Sequence, residues 1–231
     1  MTVHLLTGGG SGIGAALARR LLARGDEVIL LARDAGRARQ LVEEFEGAST
    51  LVGDLAVPGR LSWALSKQAL PERLDSVVHA AGVVDLGPVV DLAPAVWDHQ
   101  LAVNLTGPAE LTRLLLPVLR VSRGRVVFVN SGAGLNAHAG WSAYAASKHG
   151  LKALADSLRQ EEAEHGIKVS SIYPGRTATP MQIRVHQQEG REYDASRFID
   201  PESVATTIVT ALDLPDDAHL TDLSIRPTGA R

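Results

Sequence analysis

VHLLTGGGSGIGAALARRLLAR, residues 3–24, is the stretch from which the fold is read. Val3 to Thr7 is a short, mostly apolar run, the pattern of a buried strand. It passes directly into Gly8-Gly9-Gly10-Ser11-Gly12-Ile13-Gly14, and then into alanines, leucines and arginines that favour a helix up to Arg24. Strand, glycine turn and helix in that order form a phosphate-binding element. The glycines let the main chain approach a pyrophosphate, and the helix start offers free N–H groups and the positive end of a dipole. The spacing is G-x-x-x-G-x-G, unlike the commoner G-x-G-x-x-G fingerprint. Thr7, Gly8, Gly10, Ser11, Gly12, Ile13 and Gly14 are the expected cofactor contacts of this turn.

Outward from the turn, strands and helices alternate. Gly25-Asp26 closes the first helix and EVILLA, residues 27–32, is a second strand. The residue class at the end of this strand selects the cofactor in a βαβ unit. An acid there bonds the ribose 2′-hydroxyl of NAD, whereas a base pairs with the 2′-phosphate of NADP. Ala32 does neither, Arg33 and Arg37 outweigh Asp34, and Asp34 suits a helix cap. NADP(H) is therefore expected, with NAD(H) possible. A helix through Phe45 precedes a third strand at Ser49–Val52, which ends in Gly53-Asp54-Leu55. Asp54 is either a turn former or a partner for the adenine amino group. A helix from Pro58 to Gln68 leads to a fourth strand, Leu74 to Ala80. Ala80-Ala81-Gly82 are small residues suited to a close approach. His79 reads as a core histidine.

A long helix is expected from Pro94 to Leu119, with Asn104 in its middle as a brace for the backbone or at a kink aided by Gly107-Pro108. Gly124 to Asn130 is a fifth strand, and it delivers Ser131 to the sheet edge at which open α/β folds bind ligands. Tyr144 and Lys148 then lie four apart on a helix running to about His165, so that they share one face. A free tyrosine, with a pKa near ~10, is a poor proton donor at neutral pH. A neighbouring cation is expected to lower that value, and Ser131 could bond the same substrate oxygen. Lys168 to Tyr173 is a sixth strand, followed by Pro174-Gly175-Arg176-Thr177-Ala178-Thr179-Pro180. Residues 181–200 are polar and unpatterned and read as a flexible loop, either a lid over the site or ordinary disorder. Pro201 opens a last helix and LTDLSIRP closes the chain as an edge strand.

The 231 residues suit one domain, 1–231. A formal net charge of −3 gives no bulk attraction to nucleic acid or membrane. No cysteine is present, which excludes disulfides and thiolate metal sites, and no metal site is expected. With no apolar run of membrane-spanning length, a cytoplasmic protein is the expectation.

The joint pattern resembles the short-chain dehydrogenase/reductase family. Thr7-Gly8-x-x-x-Gly12-Ile13-Gly14, Asp54-Leu55, Ala81-Gly82, Asn104, Ser131, Tyr144-x-x-x-Lys148 and Pro174-Gly175…Thr179 carry the likeness, which spans essentially the whole chain. It implies a Rossmann-type, doubly wound, mostly parallel seven-stranded sheet with helices on both faces. It also implies Tyr144 as general acid/base, Lys148 lowering its pKa and holding the nicotinamide ribose, and Ser131 orienting a substrate carbonyl. Asn104 would hold a water in the proton relay. Pro174, Gly175, Thr177 and Thr179 would line the nicotinamide and phosphate side. The implied activity is NADP(H)-dependent interconversion of a carbonyl and an alcohol on a small or medium substrate, in a homodimer or homotetramer. A nucleotide-sensing protein without turnover, or a sugar-nucleotide epimerase or dehydratase, are the alternatives. The chain departs from the family at His79-Ala80-Ala81-Gly82, where Asn-Asn-Ala-Gly is usual, and at Asn130, where Ser is commoner before the catalytic serine.

Overall fold

A computed structural model describes residues 1–228. Seven strands alternate with the helices that cover them: β1 (Val3–Thr7), α1 (Gly12–Ala23), β2 (Glu27–Ala32), α2 (Ala35–Glu44), β3 (Ser49–Val52), α3 (Leu61–Leu65), β4 (Ser76–His79), α4 (Pro94–Leu101), α5 (Gly107–Ser122), β5 (Arg125–Val129), α6 (Ser142–Glu161), β6 (Lys168–Pro174), α7 (Pro180–Glu189), α8 (Pro201–Asp213) and β7 (Asp222–Ile225). The sheet order is β3-β2-β1-β4-β5-β6-β7. All six pairings are parallel, the closing edge strand included. This is the Rossmann-type architecture.

The strand residues divide by parity between two cores, because successive side chains point to opposite faces. Leu6, Leu30, Val78 and Val127 meet α1, α2 and α8 on one face, where Leu17, Leu21, Leu41 and Ile208 are buried. Leu5, Ile29, Val77 and Val126 meet α3, α5 and α6 on the other. Leu111, Leu115 and Leu119 form the inward stripe of α5 at helical spacing and are fully buried. Each such leucine contributes roughly 1.5–3 kcal/mol by leaving water. A smaller apolar cluster of Val84, Ala133, Tyr144, Ala145 and Val185, flanked by Leu86, Trp141 and Met181, joins α6 to α7 above the sheet edge.

Two segments differ from the sequence expectation. The helix expected over 94–119 is interrupted by a π-helical turn, Ala102–Thr106, which contains Asn104. Pro108 lacks an N–H to continue the ladder, and Gly107 lies so close to Leu55 that an added Cβ would sit 2.6 Å from its carbonyl oxygen. The segment expected as a flexible loop over 181–200 holds a helix, α7, capped by Thr179, whose Oγ1 accepts the Gln182 N–H, with Pro180 in its first turn. Its buried face was hidden because two of its members are polar. Gln182 and His186 are buried beside Val185, and His186 packs edge-on against Tyr193 and Phe198.

Candidate active site

Strand order reverses between β1 and β4, and the loops leaving their carboxyl ends part there into a crevice. The Thr7 hydroxyl accepts the Ala81 N–H at 3.1 Å and ties the two loops together. Gly8 has φ +68°, and a Cβ on it would lie 2.6 Å from the Ala81 nitrogen. Only glycine lets the turn pass so near β4. The crevice opens into a cavity of about 1590 Å³ along the carboxyl edge of the sheet. Thr7, Gly8, Gly10, Ser11, Gly12, Ile13, Arg33, Arg37, Asp54, Leu55, Ala80, Ala81, Gly82, Ser131, Tyr144, Lys148, Pro174, Gly175, Thr177 and Thr179 all line it. Gly14 and Asn104 do not. Gly14 instead lets α1 pack on the turn, with an added Cβ meeting the Gly8 carbonyl at 2.3 Å.

At one end of the cleft, the Asp34 carboxylate caps α2 by accepting the Arg37 N–H at 2.7 Å. Arg37 lies across the glycine turn and donates to the Gly10 carbonyl at 3.1 Å. Arg33 points outward, its side chain 77% exposed, with Asp34 at 3.3 Å. The end of β2 thus offers two guanidinium groups, while its acid is occupied in capping.

At the other end, β5 and α6 bring Ser131, Tyr144 and Lys148 together. The Ser131 hydroxyl stands beside the Tyr144 phenol and both line the cavity. Lys148 is buried, its Nζ donates to the Val129 carbonyl at 3.0 Å, and it stands 5.9 Å from the Tyr144 ring centre. Burial lowers the Lys148 pKa to about 8. The Tyr144 pKa does not follow the expectation of a phenol lowered by Lys148. Burial pushes it above its ordinary value, opposed by the neighbouring Ser131 hydroxyl. Lys148 is turned to the Val129 carbonyl, and the desolvation of a nearly covered phenolate outweighs its attraction at this distance.

Asn104 is a brace. Its Oδ1 accepts the Val83 N–H and its Nδ2 donates to the Val83 carbonyl, both at 2.9 Å, and Nδ2 also donates to Ser147 Oγ at 3.0 Å. Ser147 in turn donates to the Tyr144 carbonyl at 2.7 Å, so the π-turn fixes both the β4 loop and the first turns of α6. These bonds take up both N–H donors and the oxygen of the side chain. Asn130 performs a similar role, accepting the Ser131 N–H at 2.8 Å and donating to the Lys148 carbonyl at 3.1 Å. His79 is a core histidine. It stacks on Phe128 at 4.9 Å, bonds Thr112, and has its pKa pushed down to about 3 by burial and by the Lys148 charge.

Sequence reasoning left the outer wall unassigned. Trp141 packs edge-on against Tyr144 at 5.8 Å, and Met181, Arg184, Val185 and Gln188 of α7 face the same cavity, as does Arg176. Asp85 holds this wall in place through Arg184 and Gln188. Thr179-Pro180 is a cap-and-proline start signal that could have exposed α7.

The fold and this cleft define a dinucleotide-binding α/β protein with a Ser–Tyr–Lys cluster at the end of its groove. Residues 2–190 match the family model described as short chain dehydrogenase. An uncharacterized short-chain type dehydrogenase/reductase of Sinorhizobium fredii is 32% identical over 232 residues, covering 98% of this chain and 92% of its own. The chain belongs to the short-chain dehydrogenase/reductase family of oxidoreductases. Among solved structures, a metagenomic short-chain oxidoreductase in complex with NADP superposes with TM-score 0.77 at 30% identity, covering 99% of this chain and 98% of that one. A serine dehydrogenase complexed with NADP+ reaches TM-score 0.85 at 22% identity, covering 97% and 94%, and shares the fold. Among the described residues no helix is long and apolar enough to cross a membrane.

Proposed function

We propose that this protein is an NADP(H)-dependent oxidoreductase that interconverts a carbonyl and an alcohol on a small or medium organic substrate. One observation carries the reading: a single cleft joins a glycine turn and two arginines at one end to Ser131, Tyr144 and Lys148 at the other. The close approach that Gly8 permits fits a pyrophosphate, and Arg33 and Arg37 suit a ribose 2′-phosphate better than a hydroxyl. Gly82 would keep room beside Lys148 for the nicotinamide ribose, since a Cβ there would meet Asn104 Oδ1 at a tight 3.3 Å. Pro174, Gly175, Thr177 and Thr179 would hold the opposite side of that half of the cofactor. The metagenomic relative, in complex with NADP at 30% identity, supports the same cofactor.

The bound dinucleotide would supply or accept the hydride. Ser131 would hold the substrate oxygen, and Tyr144 would give it a proton, or remove one in the oxidative direction. Lys148 would turn from Val129 to the cofactor ribose and stabilise the phenolate as it forms. Trp141, Val84 and Val185 would exclude water from the reacting carbon. A protein sensing the cofactor without turnover would not need a buried, costly lysine beside a buried tyrosine. The test is a fluorescence titration with NADPH and with NADH, followed by a carbonyl-reduction assay with the tighter cofactor. Tighter NADPH binding with turnover is expected. Tighter NADH binding would reverse the cofactor assignment, and binding of neither would overturn the reading.

A further inference from the structure

Arg176 is the only charged residue between Gly175 and Thr179, the segment that joins β6 to α7. It lines the same cavity as Tyr144, and its guanidinium carbon lies 5.9 Å from the Trp141 ring centre. Trp141 is the indole packed on Tyr144, so one aromatic ring separates Arg176 from the proposed proton donor. Arg176 forms a two-pronged pair with Glu189, Nη1 to Oε2 at 2.8 Å and Nη2 to Oε1 at 2.6 Å. That pair uses two of five N–H donors.

The open side of the pair is its cation. The Arg176 side chain is 34% exposed against 15% for Glu189, which Arg191 also approaches at 3.9 Å. Among the described residues Glu189 is the one acid lining this half of the cavity, and Arg176, Arg184 and Arg191 line it too. Local charge is therefore positive even after Arg184 is matched by Asp85. The pair leaves three N–H donors of the half-buried guanidinium, so a second carboxylate can bind without displacing Glu189.

We propose that Arg176 determines specificity by gripping a carboxylate on the substrate, so that the substrates are oxo acids and the corresponding hydroxy acids. The proposal rests on the oxidoreductase reading above and narrows its substrate class. The chemistry would be unchanged: the ketone carbon would take the hydride that a reduced nicotinamide supplies when bound, the oxygen would take the Tyr144 proton, and the carboxylate would take no part. The competing role for Arg176 is to tie its loop to the last residue of α7, where the Glu189 carboxylate opposes the helix dipole.

Steady-state reduction of 4-oxopentanoate and 5-oxohexanoate, each beside its methyl ester, separates the two roles. The wild type should prefer at least one acid over its ester. Arg176→Gln should lose roughly 10- to 100-fold in kcat/KM on that acid and change little on the ester, the size expected for one charge-assisted grip. Glu189→Gln should lower KM for the acid and leave the ester unchanged, because it frees the guanidinium; a loop tie would instead impair both substrates. Calorimetric titration of the same acids into the protein with NADP+ gives a readout independent of turnover. Acid binding that Arg176→Gln abolishes, without turnover, would uphold the carboxylate site and sink the oxidoreductase reading. Turnover with equal use of acid and ester, equal loss on both in Arg176→Gln, or no binding of either acid would overturn the proposal.

Discussion

Tyr144 and Lys148 are each buried against their own interest, and that conflict generates measurable consequences at single residues. Tyr144→Phe keeps the ring that packs on Trp141 and removes the proton, so turnover should fall by roughly 10²–10⁴-fold while NADPH affinity holds. Survival of near wild-type rate in that variant would sink the mechanism. Lys148 has a pKa of about 8 in the fold against 10.5 for the free side chain. Between those values the unfolded chain binds more protons, so this group's contribution to stability rises with pH across roughly pH 8–10.5. Below pH 8 the penalty is fully present, on the order of 3 kcal/mol before the hydrogen bond to Val129 is set against it. Lys148→Met should therefore raise the melting temperature at pH 7 by a few degrees, at about 2–4 °C per kcal/mol, and abolish activity. The gain should vanish near pH 10–11 in differential scanning calorimetry, and a lower melting temperature at pH 7 would refute it. Among the described residues Arg33 makes one side-chain contact, the exposed one to Asp34. Arg33→Ala should weaken NADPH by roughly tenfold and NADH hardly at all, an asymmetry of one phosphate contact. Equal loss for both would undo the assignment.

At the scale of elements, legibility followed how local the determining physics is. β1, β2 and β3 were readable to their end residues, because runs of apolar residues bounded by glycine or charge admit one reading. So was the convergence of Ser131, Tyr144 and Lys148, which needs only a strand end and one helical turn. The π-turn at Ala102–Thr106 was not readable as such, since it depends on how close Gly107 comes to Leu55 across the fold. Nor was α7, whose inward face is built from Gln182 and His186 and makes sense only beside Tyr193 and Phe198. The shift of Tyr144 escaped for the same reason, because spacing shows adjacency to a cation but not the depth of burial. Thr179 is the test of α7 as an element. Thr179→Ala removes its N-cap, worth roughly 1 kcal/mol, and should speed hydrogen exchange across 180–189 with the sheet unaffected. Unchanged exchange there would mean that α7 is held by Asp85 and its apolar contacts alone.

For the whole molecule, we propose that the helices flanking β5, namely α5 and α6, meet their equivalents in a second copy. Val121 is 68% exposed on α5, and Glu110–Arg113 and Lys152–Asp156 supply charges of both signs on these helices. Sedimentation at micromolar concentration should show a dimer or tetramer, and a monomer alone would refute the arrangement. The reversal of strand order between β1 and β4 has a further consequence, for how the chain is made. β1 lies inside the sheet yet is made before the other six strands, and the residue that faces His4 on β4, Ser76, comes 72 positions later. Until then one edge of an apolar strand has no neighbour, and pairing across that separation is slow. The nascent chain therefore carries an unprotected, sticky segment until β4 (Ser76–His79) is made, and the nucleotide groove cannot exist in a fragment that ends before it. A cofactor bound in that groove would stabilise the folded state by mass action.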